Sequence, residues 1–214
     1  MLLGTVAVGL VVFAALWALV AVRWGPLLTL DGQVVADGHR LALDDRWLST
    51  TSRIVTDLGS PVAVDIVAAV AAVLALIGRS IMAAVVIAGA RLGELGTVTV
   101  AKMVADRARP VFAQPLAVAS GQSFPSGHAA GSAALYGVLV LLVAPVLARG
   151  PRVAAVLAGI LFVLAVATSR VLLGVHYPSD VVAGLAVGTA WAAVAVVIGR
   201  HVSARSRVDD HPMG

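Results

Sequence analysis

The stretch that decides the fold is MLLGTVAVGLVVFAALWALVAV, residues 1–22, which contains no charged side chain. A helix of about 20 mainly apolar residues is long enough to cross a lipid bilayer. A secretory signal peptide has a basic start, a shorter apolar core and a cleavage site of small residues, and this stretch shows none of them. We therefore predict that residues 1–22 form a retained membrane-spanning helix.

The composition of the whole chain also indicates a membrane protein. Apolar residues make up 60% of the 214 residues and charged residues only 12%, whereas a soluble domain carries about twice that charged fraction. An ordinary soluble globule and a disordered chain are therefore excluded. The sequence has no cysteine, which excludes disulfides, zinc–thiolate sites and a thiolate nucleophile. The net charge is +4, but the basic residues are scattered between apolar runs, so we expect no nucleic-acid binding.

Five further apolar runs follow the first, at residues 62–78, 81–101, 129–148, 153–173 and 181–199. Together the six runs predict an all-α integral membrane bundle of six transmembrane helices. We expect residues 1–214 to form one membrane-embedded domain that ends in a polar cytoplasmic tail, residues 200–214.

The remaining segments carry weaker signals. Residues 23–60 are polar for this chain and have no predicted fold, apart from a surface loop expected around Asp44, Asp45 and Trp47, with a substrate-gating helix as the alternative. Residues 149–152 are expected to form a short basic turn. Small residues four apart favour close helix packing, and they occur at Gly89 and Gly93, Gly127 and Gly131, and Gly184 and Gly188.

Counting the spans places the loops after the first, third and fifth helices on one face of the membrane. The positive-inside rule favours the opposite face as the cytoplasmic one, although four arginines in the first loop leave the charge count nearly balanced. The arginines expected on the cytoplasmic face are Arg79, Arg149, Arg152, Arg200, Arg205 and Arg207.

The loops after the third and fifth spans concentrate the cations of the chain. If these loops meet, Lys102, Arg109 and Arg170 converge. Guanidinium groups pair with phosphate oxygens two at a time, and lysine adds a point charge. Ser126 and Gly127 stand where the fourth helix begins, so free N–H groups and the positive end of the helix dipole are available to an anion.

The same loops carry two histidines that can divide the work of a nucleophile and a proton donor. Because cysteine is absent, His176 is the best candidate to attack phosphorus. Asp180 lies four residues later, with Pro178 suited to a first helical turn, and can accept a hydrogen bond from one ring nitrogen while the other stays nucleophilic. His128 can then protonate the departing oxygen.

Three motifs in order now support a family resemblance. Residues 102–110 read Lys-x6-Arg-Pro, residues 125–128 read Pro-Ser-Gly-His, and residues 169–180 read Ser-Arg-x5-His-x3-Asp. This order resembles the three-part signature of the type-2 phosphatidic-acid phosphatase superfamily, which also includes vanadium haloperoxidases and bacterial acid phosphatases.

The resemblance implies a metal-independent lipid phosphate phosphatase that needs no cofactor and acts on the extracytoplasmic side of the cell membrane, with the N-terminus inside. It implies that His176 is phosphorylated, that Asp180 orients it, and that His128 acts first as an acid and then as a base. The residues implied to hold the phosphoryl oxygens are Lys102, Arg109, Ser126, Gly127 and Arg170.

The sequence leaves the substrate open. Family analogy favours an isoprenoid carrier diphosphate such as undecaprenyl diphosphate. Phosphatidate, phosphatidylglycerol phosphate and diacylglycerol pyrophosphate are alternatives. A non-catalytic phospholipid-binding protein would use the arginines but has no need of two histidines and an aligned aspartate. Oxidation of halide on bound vanadate is disfavoured by the membrane spans. Membrane lipids are the expected partners, and the sequence does not indicate an oligomeric state.

Other polar residues have simpler interpretations. Arg107 is expected to be solvated or bound to lipid headgroups. Arg91 and Glu94 are three residues apart in an apolar helix, which favours an ion pair within the membrane over a role in the substrate path. No ligand spacing indicates a metal site. The histidines expected to be solvated are His39, His201 and His211.

Overall fold

The computed structural model describes residues 2–209, with side chains through residue 203, and within this range it consists of helices and their connections. The helices are α1 (Leu2–Ala21), α2 (Gly25–Asp44), α3 (Arg46–Leu58), α4 (Pro61–Ile77), α5 (Ile81–Ala105), α6 (Gly127–Val143), α7 (Arg149–Leu172) and α8 (Pro178–Asp209), with a short 3₁₀ turn at Ala144–Val146.

Five of these helices are long and apolar enough to cross a membrane by themselves: α1, α5, α6 with its 3₁₀ turn, α7 and α8. Helices α3 and α4 form a pair bent by 44° that can make a sixth span. The predicted all-α membrane bundle is therefore confirmed. The second predicted span differs in detail, because α4 has only 17 residues and reaches span length only with α3.

The polar stretch after α1 is helical, and the surface loop predicted around Asp44, Asp45 and Trp47 is wrong. Asp44 ends α2, and Trp47 lies in the first turn of α3. Asp45 adopts an extended backbone between the two helices, and its carboxylate accepts hydrogen bonds from the N–H groups of Trp47 and Leu48 at 2.8 and 3.1 Å. An aspartate at this position satisfies donors that a helix start leaves unpaired.

Two further predictions at helix ends need correction. Residues 149–152 form the first turn of α7 rather than a separate turn, and a proline is tolerated there because the first N–H groups of a helix have no intrahelical partner. Helix α8 continues to Asp209, so most of the predicted polar tail is helical. Residues 210–214, which include His211, lie outside the described residues.

Helix α8 lies at the centre of the bundle, against α1, α5 and α6. Two glycines let α6 approach it closely, because a Cβ added at Gly184 or Gly188 would collide with the carbonyl oxygen of Ser126 or Ala130, respectively. The packing role expected of this pair is thus confirmed. By contrast, a Cβ added at Gly89 would meet nothing within 4 Å.

The ion pair expected within the membrane is confirmed and involves a third residue. Arg91 Nη1 donates to Glu94 Oε2, and Arg91 Nε donates to Asp65 Oδ1 at 2.7 Å. Because Asp65 belongs to α4, the cluster links α4 to α5 at a depth where an unpaired charge is costly.

A glycine packed against another helix and a glycine facing open space should respond in opposite ways to substitution by alanine. Gly188→Ala forces a Cβ against α6 and should destabilise the protein by about 1–3 kcal/mol. Gly89→Ala adds a Cβ in open space and should stabilise α5 by up to about 1 kcal/mol. Thermal unfolding of both variants in the same lipid or detergent measures the difference. Equal or reversed shifts would contradict the assigned packing.

Candidate active site

A cavity of about 470 Å³ opens where α5 ends, α6 begins and α7 ends. It is also lined by Thr56 and Asp57 of α3 and by residues 117–122 of the connection between α5 and α6. Six of the eight predicted site residues line this one cavity: Lys102, Arg109, Gly127, His128, Arg170 and His176.

Backbone carbonyl groups hold two of the cations in place. Lys102 Nζ donates to the carbonyl oxygen of Gln122 at 2.6 Å. Arg109 donates through Nε to Gly121 O at 3.0 Å and through Nη1 to Val175 O at 2.8 Å. Burial lowers the pKa of the Arg109 guanidinium below its usual value, but arginine remains charged in proteins. These contacts orient both cations without neutralising them.

Arg170 ends α7 and is buried beside the same cavity. Its Nη1 donates to Thr56 Oγ1 at 2.5 Å. Its Nε has no hydrogen-bond partner among the described residues. A buried, unpaired donor on a charged group is costly, and an anion in the cavity would supply the acceptor.

His176 is carried by the short turn between α7 and α8 and is almost fully buried. Its Nδ1 lies 3.4 Å from Asp180 Oδ2, and its Nε2 lies 2.9 Å from Arg109 Nη1. Burial lowers the pKa of His176 to about 4, and the hydrogen bond and charge of Asp180 oppose this shift only in part. The imidazole is therefore neutral near pH 7. With the proton on Nδ1 towards Asp180, the lone pair of Nε2 accepts a hydrogen bond from Arg109 Nη1.

Asp180 lies behind the cavity, fully buried in the first turn of α8. Its Oδ2 also accepts from the N–H of Tyr177 at 2.9 Å and from Ser123 Oγ. Its Oδ1 accepts from Arg107 Nη1 at 2.6 Å. Each oxygen of this carboxylate therefore has fixed partners.

The expectation that Arg107 is solvated or lipid-bound is wrong. Its side chain is only 9% exposed and forms ion pairs with Asp180 and with Asp31 of α2. Sequence analysis missed both Arg107 and Asp31, because the contact joins residues 76 apart and depends on a helix that it did not predict.

Ser126 and Gly127 differ in their relation to the cavity. Gly127 lines it, but Ser126 is fully buried and is not among the lining residues. The Ser126 N–H donates to the carbonyl oxygen of Asp180 at 2.9 Å, so this donor is already engaged. The Ser126 hydroxyl has no partner among the described residues. Direct phosphate contact by Ser126 stays a prediction.

His39 is buried, and the prediction that it is solvated is wrong. Its ring stacks on Phe112 with centroids 4.0 Å apart, and its Nε2 lies 3.0 Å from Gln114 O. A Cβ added at Gly174, which has a φ of +71°, would come within 2.7 Å of His39 Nδ1. The turn that carries His176 therefore needs glycine at position 174, because the backbone has a positive φ and because a side chain there would collide with His39.

His201 is exposed, as expected.

The fold and the cavity define a multi-span membrane protein in which three cations and a histidine line one cavity and an aspartate lies behind the histidine. Among the described residues, no group of three or more His, Asp or Glu side chains could hold a metal ion. Residues 79–202, more than half of the chain, match the model of the PAP2 superfamily. The chain belongs to this superfamily, which confirms the resemblance drawn from the three motifs.

Comparisons by sequence and by structure both lead to Bacillus subtilis phosphatases. Phosphatidylglycerophosphatase B of strain 168 is 41% identical over 86 residues, which are 39% of this chain and 41% of that protein. The match therefore spans less than half the length of the relative. The crystal structure of a transmembrane PAP2-type phosphatidylglycerolphosphate phosphatase superposes with a TM-score of 0.84 over 92% of this chain and 97% of that one. At 22% identity this likeness supports the fold.

The lowered pKa of His176 predicts how the ring titrates. Because the pKa is about 4, His176 should remain neutral from pH 8 down to about pH 5 and take up a proton only in stronger acid. ¹⁵N-histidine NMR of the protein in nanodiscs, with the signal assigned by its loss in His176→Ala, follows this ionisation. A titration midpoint between pH 6 and 7 would contradict the buried, neutral ring.

Proposed function

We propose that this protein is a membrane-bound, metal-independent lipid phosphate phosphatase that hydrolyses a terminal phosphate through a phosphohistidine intermediate. The observation that carries the proposal is the orientation of His176. Its Nδ1 faces Asp180, and its Nε2 lies beside Arg109 in a cavity that Lys102 and Arg170 also line. A nucleophile backed by an orienting acceptor and surrounded by cations suits in-line attack on phosphorus.

In the first step, Arg109 Nη1 turns from His176 Nε2 to a phosphoryl oxygen of the substrate, and the lone pair released on Nε2 forms a bond to phosphorus while the bond from phosphorus to the lipid oxygen breaks. The departing oxygen takes a proton from His128, which lines the same cavity at the start of α6. Asp180 stabilises the positive charge that develops on His176.

In the second step, His128 accepts a proton from water as the water oxygen attacks phosphorus. The P–N bond breaks, inorganic phosphate leaves, and His176 returns to its neutral form. The sum of the two steps consumes one water and yields a lipid alcohol and phosphate. Lys102, Arg109 and Arg170 stabilise the equatorial oxygens in both transition states, which is where most catalysis of phosphoryl transfer arises.

The position of the cavity supports a lipid substrate. The cavity lies where α5 ends, α6 begins and α7 ends, and we place this end of the bundle at the level of the lipid headgroups. The apolar part of such a substrate can remain in the bilayer while its phosphate enters the cavity. Because the sequence match and the structural match are both named for phosphatidylglycerol phosphate, we place this phosphomonoester first. We retain undecaprenyl diphosphate, phosphatidate and diacylglycerol pyrophosphate as comparison substrates.

Purified protein in lipid nanodiscs should release phosphate from phosphatidylglycerol phosphate in the presence of EDTA. His176→Ala should abolish turnover, and Arg170→Ala should lower kcat/KM by about 10²–10³-fold, because each removes a group that acts on the transition state. Arg40→Gln, at an exposed position of α2, is the matched control and should retain the wild-type rate.

A near-normal rate from His176→Ala, or hydrolysis that requires a divalent metal, would overturn the proposed mechanism. Binding of the lipid without phosphate release would favour the non-catalytic alternative. Faster hydrolysis of a diphosphate than of any phosphomonoester would move the substrate assignment to the isoprenoid or diacylglycerol diphosphates.

We also propose that the cavity opens on the extracytoplasmic side. The natural absence of cysteine allows a direct test with single-cysteine variants at two exposed positions on opposite faces. Val118, beside the cavity, is 95% exposed, and Val146, between α6 and α7, is 82% exposed. In intact cells, a membrane-impermeant maleimide should label Val118→Cys and should label Val146→Cys only after permeabilisation. The reverse pattern would contradict the proposed orientation.

A further inference from the structure

Arg107 lies where α2, the connection after α5 and the start of α8 meet. Its Nη1 donates to Asp180 Oδ1 at 2.6 Å and to Ser179 Oγ at 2.8 Å, and its Nη2 donates to Asp31 Oδ2 at 2.7 Å. Its guanidinium carbon lies 4.2 Å from the centre of the Tyr177 ring. One buried arginine therefore joins two carboxylates from different helices.

Asp31 also binds the start of α8 without the help of Arg107. Its Oδ1 accepts from the Ser179 N–H at 3.0 Å, and its Oδ2 accepts from Ser179 Oγ at 2.5 Å. Asp31 is itself almost fully buried in α2. It therefore fixes both the arginine and the backbone of the helical turn that carries Asp180.

These contacts orient the Asp180 carboxylate. Oδ1 is held by Arg107, while Oδ2 faces His176 Nδ1 and also accepts from the Tyr177 N–H and from Ser123 Oγ. A carboxylate held at only one oxygen can rotate about its terminal torsion, which has a broad energy profile. The ion pair with Arg107 restricts this rotation and so keeps Oδ2 directed at the histidine ring.

We propose that Arg107 and Asp31 are positioning residues, which act through Asp180 to hold His176 in its reactive orientation. This inference rests on the proposed function, because it gives both residues a role in the attack by His176. They differ from Lys102, Arg109 and Arg170, because neither Arg107 nor Asp31 lines the cavity.

Arg107 is poorly suited to bind a lipid headgroup instead. Its charge is balanced by two carboxylates within 2.7 Å, and its side chain is nearly inaccessible. A positioning role and a purely structural role predict different effects of substitution. If Arg107 only stabilised the fold, its loss would loosen the whole site and lower both kcat and the affinity for phosphate. If Arg107 positions Asp180, its loss should lower kcat alone.

The test separates the rate of chemistry from the affinity for an anion. Arg107→Gln and Asp31→Asn are assayed in nanodiscs for kcat on phosphatidylglycerol phosphate and for competitive inhibition by inorganic phosphate. We expect kcat to fall by about 10–100-fold in each variant, since small misplacements of reacting groups cost rates of this order. The inhibition constant of phosphate should stay within about threefold, because the cations that bind the ground state are intact.

The double variant tests whether the two residues act as a unit. The loss of kcat in Asp31→Asn/Arg107→Gln should be smaller than the product of the two single losses, as is usual for residues in one network. Asp37→Asn and Arg40→Gln are matched controls on the exposed face of α2, where the side chains are 70% and 73% exposed. Both controls should retain the wild-type kcat.

Ser179→Ala keeps the test falsifiable if the charge variants do not fold. It preserves every charge but removes the hydroxyl that bridges Arg107 and Asp31. We expect kcat to fall by up to about tenfold with phosphate inhibition unchanged. Thermal unfolding of each variant establishes that the folded protein is being measured.

Three results would overturn the inference: a wild-type kcat in Arg107→Gln, a parallel loss of phosphate affinity, or an equal loss in the controls. His176→Ala in the same preparation distinguishes a failure of the proposed function from a failure of the positioning role. If His176→Ala turns over, the proposed function itself is wrong. If it is inactive while Arg107→Gln and Ser179→Ala are unaffected, only the positioning role is wrong.

Discussion

The structure depends on one buried carboxylate. Asp180 is removed from water at the start of a membrane-spanning helix, where an unpaired charge would be strongly destabilising. Its partners come from the preceding turn, from the connection between α5 and α6, and from Arg107, which in turn binds α2. Satisfying this group therefore assembles segments that are far apart in sequence, and His176 is oriented as part of the same arrangement.

The cations near the site divide into two kinds by their partners. Arg107 is paired with carboxylates, so its charge is used within the protein. Lys102 and Arg109 donate to backbone carbonyl groups and Arg170 to a hydroxyl, and in the part of the chain that the structure describes none of the three forms a salt bridge. Neutral partners fix their positions and leave their charge available to an anion. This division explains how cations separated by only a few residues can have different roles.

Much of this architecture was predictable from the sequence. The apolar runs identified the spans because crossing a bilayer requires a minimum length of apolar helix. The motif residues that line the cavity were identified because each motif occupies a short stretch of chain. The network behind them was not predictable in this way. The buried positions of α2 are Asp31, Val35, His39 and Ala42, which follow a helical period but include an acid and a histidine. A search for apolar periodicity does not detect a buried face that contains an acid and a histidine. The residues that Asp31 and His39 contact become apparent only from the tertiary packing.

The most direct test of the central claim is to trap the intermediate. Protein in nanodiscs is mixed with a lipid substrate labelled with ³²P at its terminal phosphate, quenched in alkali within milliseconds, and digested for mass spectrometry. We expect a base-stable, acid-labile phosphoryl group on the imidazole of His176, formed and lost at rates compatible with turnover. Full turnover without label on this residue, or label on any other side chain, would contradict it.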